Sequence, residues 1–155
     1  MDRFLSNFSS KLDAKGRVSI PAPFRAMLTR DGFPGLYVHP CLDHEALDAG
    51  GEALLAEIDR LLDALPPYSV ERETLSTALL GVSEILKIDP EGRVILTESL
   101  KAHAGISDQV TFVGQGSKFQ IWEPERFAAH LSAARAGARE LRTRLAQAAM
   151  NGSGS

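Results

Sequence analysis

Cysteine is nearly missing from this chain. Cys41 stands alone among 155 residues, so no disulfide framework can form within it, and a reducing, cytoplasmic setting is expected. Long apolar runs are missing as well. No stretch approaches the roughly 18 residues that a membrane-spanning helix needs. The opening segment alternates apolar and polar residues, which predicts no signal peptide. There is no phosphate-cradling glycine-rich loop, no Gly-x-Ser-x-Gly elbow and no His-Glu-x-x-His pair, so no enzyme class is indicated. With 44% hydrophobic and 24% charged residues, the composition is that of a folded soluble protein rather than a disordered one.

A positive net charge is also lacking. The formal value is −3, which taken alone argues against a nucleic-acid partner. Its distribution argues the other way. Residues 1–30 hold six basic side chains (Arg3, Lys11, Lys15, Arg17, Arg25 and Arg30) against Asp2 and Asp13. Residues 31–100 hold four basic and fourteen acidic groups, and residues 101–155 seven basic and four acidic. Phosphate attraction is a local matter beyond a screening length of about 10 Å, so a basic N-terminal patch can serve an acidic protein. The carboxylates of 43–73 read as the solvated face of helical segments. His39-x-Cys41-x-x-His44 offers three potential metal ligands. A structural zinc site normally needs four in a tighter pattern, so no metal is assigned. His39 is expected at a strand end, His44 in a helical first turn, and His103 and His130 on helix surfaces.

What the chain does contain is an internal repeat. Lys11-Leu-Asp-Ala-Lys-Gly-Arg-Val-Ser-Ile20 matches Lys87-Ile-Asp-Pro-Glu-Gly-Arg-Val-Ile-Leu96 at an offset of 76, and the match continues through Phe24/Leu100, Arg25/Lys101 and Ala26/Ala102. Leu36–Pro40 also resembles Gln120–Pro124 at an offset of 84, which places eight extra residues in the second copy around Val110–Lys118.

Each copy has the same local grammar. Phe4, Phe8 and Leu12 fall on one side of a period-two pattern. Asp13-Ala-Lys-Gly16 and Asp89-Pro-Glu-Gly92 have the residue order of a type I turn closed by a left-handed glycine, with Asp13 and Asp89 accepting from the turn backbone. Arg17 and Arg93 then open the return strands, so each copy reads as a hairpin. A short helix follows, with Pro21 and Pro23 in its first turn and Phe24, Met27 and Leu28 on its apolar face. Thr97 is the matching N-cap in the second copy, whose helix ends at Gly105. Val110–Val113 and Phe119–Trp122 predict another hairpin around Gly114–Gly116. Leu54, Ile58, Leu61 and Leu65 mark a helix that stops before Pro66. Phe127, Leu131, Ala134, Ala138, Leu141, Leu145 and Ala148 form a heptad-like seam, expected to pack against that helix rather than form a coiled coil between subunits.

The two Asp-x-x-Gly-Arg tips are where chemistry is expected. Arginine can grip guanine O6 and N7 with two bonds, whereas lysine acts as a point charge toward phosphate. The bland alternative is a pair of well-made turns with a surface ion pair worth about 0–1 kcal/mol. Repetition, together with the basic N-terminal segment, favours DNA.

At this point the chain resembles the MraZ family, whose mark is an Asp-x-x-x-Arg motif once in each of two tandem repeats, here Asp13…Arg17 and Asp89…Arg93. The segment from Leu12 to Pro21 and the Phe4 opening are similar to the family's first repeat, and the resemblance covers nearly all of 1–135. It implies an α+β fold of two tandem AbrB/MazE-like β-hairpin half-domains that pair within one chain as a pseudo-dimer (a double-psi or swapped-hairpin barrel) with packing helices. It further implies a ring-shaped homo-oligomer that binds short direct repeats in double-stranded promoter DNA of the division and cell-wall gene cluster, generally as a repressor, in the cytoplasm at the nucleoid. No cofactor, membrane or small-molecule substrate is implied.

The expected layout is a first repeat over 1–65, a connecting segment over 66–80, a second repeat over 81–150 and a flexible tail over 151–155. Arg17, Lys15 and Arg93 are expected to face DNA, with Lys11 and Arg3 on phosphates, while Asp13, Gly16, Asp89 and Gly92 structure the loops. Glu91 replaces Lys15 at the second tip, and Pro90 replaces Ala14. A carboxylate there repels phosphate, so the first tip should dominate binding. An antitoxin-like or structural interaction module of the same fold is the competing reading. The periodic helix expected after the second repeat, in place of a long disordered tail, disfavours it.

Overall fold

The computed structural model describes residues 3–153 and forms two compact units, one ending at Glu123 and one beginning at Pro124. In the first unit the chain runs through β1 (Asn7–Lys11), β2 (Arg17–Ser19), α1 (Ala22–Asp31), β3 (Leu36–Pro40), β4 (Leu47–Gly50) and α2 (Glu52–Asp63). It continues through α3 (Val70–Ser76), a π-helical turn (Thr77–Gly81), β5 (Glu84–Leu86), β6 (Arg93–Ile95), α4 (Glu98–Ala104), β7 (Gln109–Gly114) and β8 (Phe119–Trp122). The second unit is one helix, α5 (Pro124–Ser153).

All strand pairs are antiparallel. Six strands form a sheet in the order β1-β7-β8-β4-β3-β5, and β2 pairs with β6 as a separate ribbon. Exchanging the two repeats turns that order into its own reverse, so the sheet has an internal two-fold symmetry. Neither β1 with β2 nor β5 with β6 forms a ladder. The chain does turn back at Asp13–Gly16 and Asp89–Gly92, but each arm pairs with a strand of the other repeat: β1 with β7, β5 with β3, and β2 with β6. The simple hairpins expected from sequence are thereby corrected to exchanged arms. A short arm finds its hydrophobic complement in the neighbouring copy, which a local turn pattern cannot announce.

The register also corrects the second half of the repeat. Tyr37 pairs with Ile85 and Gly50, as Thr111 pairs with Ser9 and Trp122. Tyr37 therefore corresponds to Thr111 at an offset of 74. Leu47–Gly50 corresponds to Phe119–Trp122 at an offset of 72, because Asp48 faces Gln120 across the centre of the sheet. The likeness of Leu36–Pro40 to Gln120–Pro124 is accidental, and no eight-residue insertion exists. The expected β7–β8 hairpin is present.

One cluster of buried side chains lies between the ribbon and the sheet, and it is built from matched pairs: Val18/Val94, Ile20/Leu96, Phe24/Leu100, Leu36/Val110, Val38/Phe112 and Leu47/Phe119. In the strands, period-two alternation puts these inward and turns their neighbours to the other face, while Phe24 and Leu100 reach in from α1 and α4. Phe24 is fully buried and meets Phe4, Phe8 and Phe119 at ring separations of 5.2, 5.5 and 4.8 Å. Each such contact adds about 0.5–1.5 kcal/mol beyond burial itself. Leu100 occupies the matching place in the second repeat, so the aromatic centre is one-sided. A smaller cluster of Tyr37, Leu54, Ile58, Leu62 and Leu79 covers part of the other face of the sheet.

Three further expectations change, those for Leu61, Thr97 and His44. Leu62, and not Leu61, is the third buried residue of α2, and Leu61 is exposed. A spacing of four from Ile58 keeps Leu62 on the Leu54 stripe, whereas Leu61 rotates off it. The segment 66–80 is largely helical, with Ser69 capping α3 through its hydroxyl, which accepts from the Arg72 amide at 3.1 Å. Thr97 holds the N-cap position of α4, but its hydroxyl donates to Glu84 Oε2 at 2.9 Å and so does not cap the helix. His44 lies in the bend between β3 and β4, not in a helix, with its ring 5.3 Å from that of Trp122.

Helix α5 runs through Asn151 and Gly152, where a flexible tail is expected; residues 154–155 lie outside the described ones. Its seam is exposed from Ala134 onward, including Leu141 and Leu145.

Candidate nucleic-acid interface

Each tip is built around one aspartate. Asp13 Oδ1 accepts from the amides of Lys15 and Arg17, both at 2.9 Å, and Oδ2 accepts from Arg17 Nε at 2.6 Å. Asp89 does the same with the amides of Glu91 and Arg93 and with Arg93 Nε, all at 2.9 Å. The Gly16 amide donates to the Asp13 carbonyl at 3.0 Å and the Gly92 amide to that of Asp89 at 2.9 Å. Gly16 and Gly92 close the turns at φ of 79° and 80°, a region where a side chain is strained.

These bonds set the electrostatics. The Arg17 amide, with its guanidinium and the Lys15 amide, holds the Asp13 carboxyl below the ordinary aspartate value against desolvation. The Arg93 amide leads the same effect on Asp89. Asp89, and then Glu91, hold Arg93 more firmly in its charged form.

The ribbon brings the tips together. In β2 and β6, Arg17 pairs with Ile95, Val18 with Val94 and Ser19 with Arg93. Val18 and Val94 are buried, so Arg17, Ser19, Arg93 and Ile95 share the outer face. Arg17 and Arg93 are diagonal neighbours there, a relation that usually spans roughly 7–8 Å. Their side chains remain 31% and 26% exposed. Each tip is also tied across the pseudo-two-fold: the Ile20 amide donates to the Gly92 carbonyl at 3.0 Å, and the Leu96 amide to the Gly16 carbonyl at 3.2 Å. Ser19 and exposed Ile95 were not singled out from sequence, although alternation about Val18 and Val94 would have found them.

The tips differ in charge. Lys15 is exposed beside the Asp13–Arg17 brace, whereas Glu91 reaches Arg93 Nη2 at 3.2 Å. Lys11, at the tip end of β1, is exposed. Arg3 is not brought to this surface. It precedes Phe4, which bridges to Gly116 beside the β7–β8 turn, at the far end of β1.

The His39–Cys41–His44 segment lies on the opposite face of the sheet. His39 is buried with Nε2 3.7 Å from Asp48 Oδ2, while Asp48 Oδ1 receives Gln120 Nε2 at 3.0 Å and Lys118 Nζ at 3.2 Å. These residues line a cleft of about 470 Å³. Burial pushes the Cys41 thiol up. Among the described residues, no group of three or more His, Cys, Asp or Glu side chains could hold a metal ion, and no helix is long and apolar enough to cross a membrane.

The fold and site define a class: a tandem-repeat α+β protein whose copies exchange strands and present two carboxylate-braced arginines on one outer ribbon. Comparison with known proteins makes the class specific. Residues 79–148 match the family described as "MraZ protein, putative antitoxin-like". The chain is 68% identical over 145 residues to the transcriptional regulator MraZ of Methylocella silvestris, covering 94% of this chain and 88% of that one. It is 60% identical over 151 residues to that of Xanthobacter autotrophicus, covering 97% and 96%. With the same-named protein of Rickettsia bellii it shares 42% identity over 146 residues, covering 94% and 97%. The chain belongs to the MraZ family.

Proposed function

We propose that this protein is a sequence-specific DNA-binding transcriptional regulator, acting as a repressor on short direct repeats in the promoter of the division and cell-wall gene cluster. The observation that carries the reading is that Arg17 and Arg93 lie diagonally across one outer ribbon face. A major groove admits a two-stranded ribbon, and aspartate bracing pre-sets arginines that would otherwise lose side-chain entropy on binding. Arg17 and Arg93 meet base edges or phosphates, and Lys15 and Lys11 meet phosphates. Arg3 lies outside this surface. The repeats act as half-domains of an AbrB/MazE-like swapped-hairpin pseudo-dimer, a reading supported by the exchange of arms. The transcriptional regulator named among its relatives supports the same role.

Copies of the chain assemble into a ring-shaped oligomer. One modest contact repeated on a rigid ring raises the effective concentration of the next. The exposed seam on α5 supplies apolar surface for such assembly. The protein acts at the nucleoid in the cytoplasm, without cofactor or small-molecule substrate. The test is titration of the protein against its own upstream region and against a scrambled duplex, with Arg17→Ala alongside. Preferential binding of the upstream duplex, weakened by Arg17→Ala, is expected; no binding by the intact protein at low salt would overturn the reading.

A further inference from the structure

We propose that Arg25 is a positioning residue that locks the second tip, and not the first, so that one tip of the DNA-facing pair is a fixed reference and the other adapts. The inference rests on the DNA-binding reading for its consequence, but its geometry stands apart from it.

Arg25 lies on α1, half-buried, and its Nη1 donates to the Ile20 carbonyl at 2.9 Å. The Ile20 amide in turn donates to the Gly92 carbonyl at 3.0 Å. The third side of the triangle is a close approach. A Cβ built on Gly92 would lie 2.5 Å from Arg25 Cδ and Nη1 and 2.8 Å from Cζ, so the end of the Arg25 side chain occupies the space a side chain there would need. Gly92 is buried beneath it. A guanidinium can donate and cover a backbone face together because it is planar; an ammonium cannot.

At the first tip the triangle is open. The Leu96 amide reaches the Gly16 carbonyl at 3.2 Å, but Lys101, the counterpart of Arg25, turns its Nζ to Glu98 Oε1 at 2.9 Å. A Cβ on Gly16 would meet nothing nearer than 3.7 Å. The repeats thus share a backbone frame, and only the second is strapped from outside. The tip with Lys15 keeps freedom to adjust on DNA, and the tip with Glu91 holds its place.

Two glycine variants isolate the strap. Gly16 and Gly92 have the same φ within a degree, so alanine at either carries the same backbone strain. Gly92→Ala alone must also displace Arg25. We expect a larger fall in melting temperature for Gly92→Ala than for Gly16→Ala, with the excess abolished in an Arg25→Ala background. In the free protein, Arg25→Ala should speed amide exchange over residues 89–93 about tenfold and leave 13–17 unchanged. Against the upstream duplex, Arg25→Ala should weaken binding without changing its salt slope, and Arg25→Lys should not restore it.

Equal losses at the two glycines, or equal acceleration of exchange at both tips, would overturn the strap. A reduced salt slope, or rescue by lysine, would make Arg25 a phosphate contact instead. If Arg25→Ala does not fold, the glycine pair in the otherwise unaltered chain still decides. Failure of the intact protein to bind DNA would remove the proposed function while leaving the melting and exchange results to judge the strap.

Discussion

At the first tip, Asp13 braces Arg17 while exposed Lys15 stands beside them; at the second, Asp89 braces Arg93 while Glu91 closes on the same arginine. The backbone bonds of the two turns agree to within about 0.1 Å, yet the local charge changes sign. The reason lies in which atoms the turn uses. Aspartate, glycine and the arginine amide and Nε are committed to the hydrogen-bond frame, so the shared fold holds them alike. The residue just before the glycine gives its amide to the frame, and its side chain is left to function. In an intertwined repeat protein, symmetry belongs to the frame, and specialisation to the positions the frame does not use.

The comparison can be broken at several depths. The deepest cut is Phe24→Ala, which should cost about 3–5 kcal/mol because Phe24 meets rings from three other segments. Both tips should then be lost in a single denaturant transition. Separate transitions would show that the repeats are not one cooperative unit. At the symmetry centre, Val18→Ala and Val94→Ala should each cost about 2 kcal/mol, equal within roughly 0.5 kcal/mol. Unequal losses would mean that the scaffold itself is asymmetric.

The tips separate next. Arg17→Ala should weaken binding to the upstream duplex about tenfold to a hundredfold, and Arg93→Ala clearly less, in titrations at one fixed salt concentration. Equal weakening would erase the proposed specialisation. Lys15→Ala should lower the salt slope by about one, and Glu91→Lys should raise it; an unmoved slope in both would place these side chains away from phosphate.

The smallest effect concerns pH. Asp13 and Asp89 are both held below the ordinary aspartate value, first by the amides of Arg17 and Arg93. A depressed carboxyl stabilises the folded state above its unfolded value, and that contribution is lost as pH falls through the folded value. Both tips should therefore stay ordered through the usual carboxylate range and loosen together only below it, followed by amide resonances of Arg17 and Arg93. Loosening near neutral pH, or at one tip alone, would contradict the matched braces.

Much of the site is legible in the sequence. Aspartate, glycine and arginine at fixed spacing, repeated 76 residues apart, announce a turn whose hydrogen bonds are local, and the structure forms those bonds. Phe4, Phe8 and Leu12 also pack inward as their alternation suggests. The second half of the repeat is not legible, because Leu36–Pro40 and Gln120–Pro124 look alike whereas strand register follows pairing partners and not resemblance. Leu61 and Leu62 are not separable in the sequence, because leucines at both spacings satisfy a helical pattern and only the neighbouring sheet selects the buried one. Thr97 looked like a cap, but Glu84 takes its hydroxyl from a strand far away in sequence.

The sequence by itself determined the repeat, the two braced turns and the unequal charge at their tips, because those depend on bonds spanning five residues or fewer. Tertiary structure decided that the arms exchange, that Arg17 and Arg93 meet on one ribbon, that Arg3 does not join them and that Arg25 covers Gly92. Those facts require segments tens of residues apart to find each other through burial of matched apolar faces, and burial is a property of the assembled core that no local pattern contains.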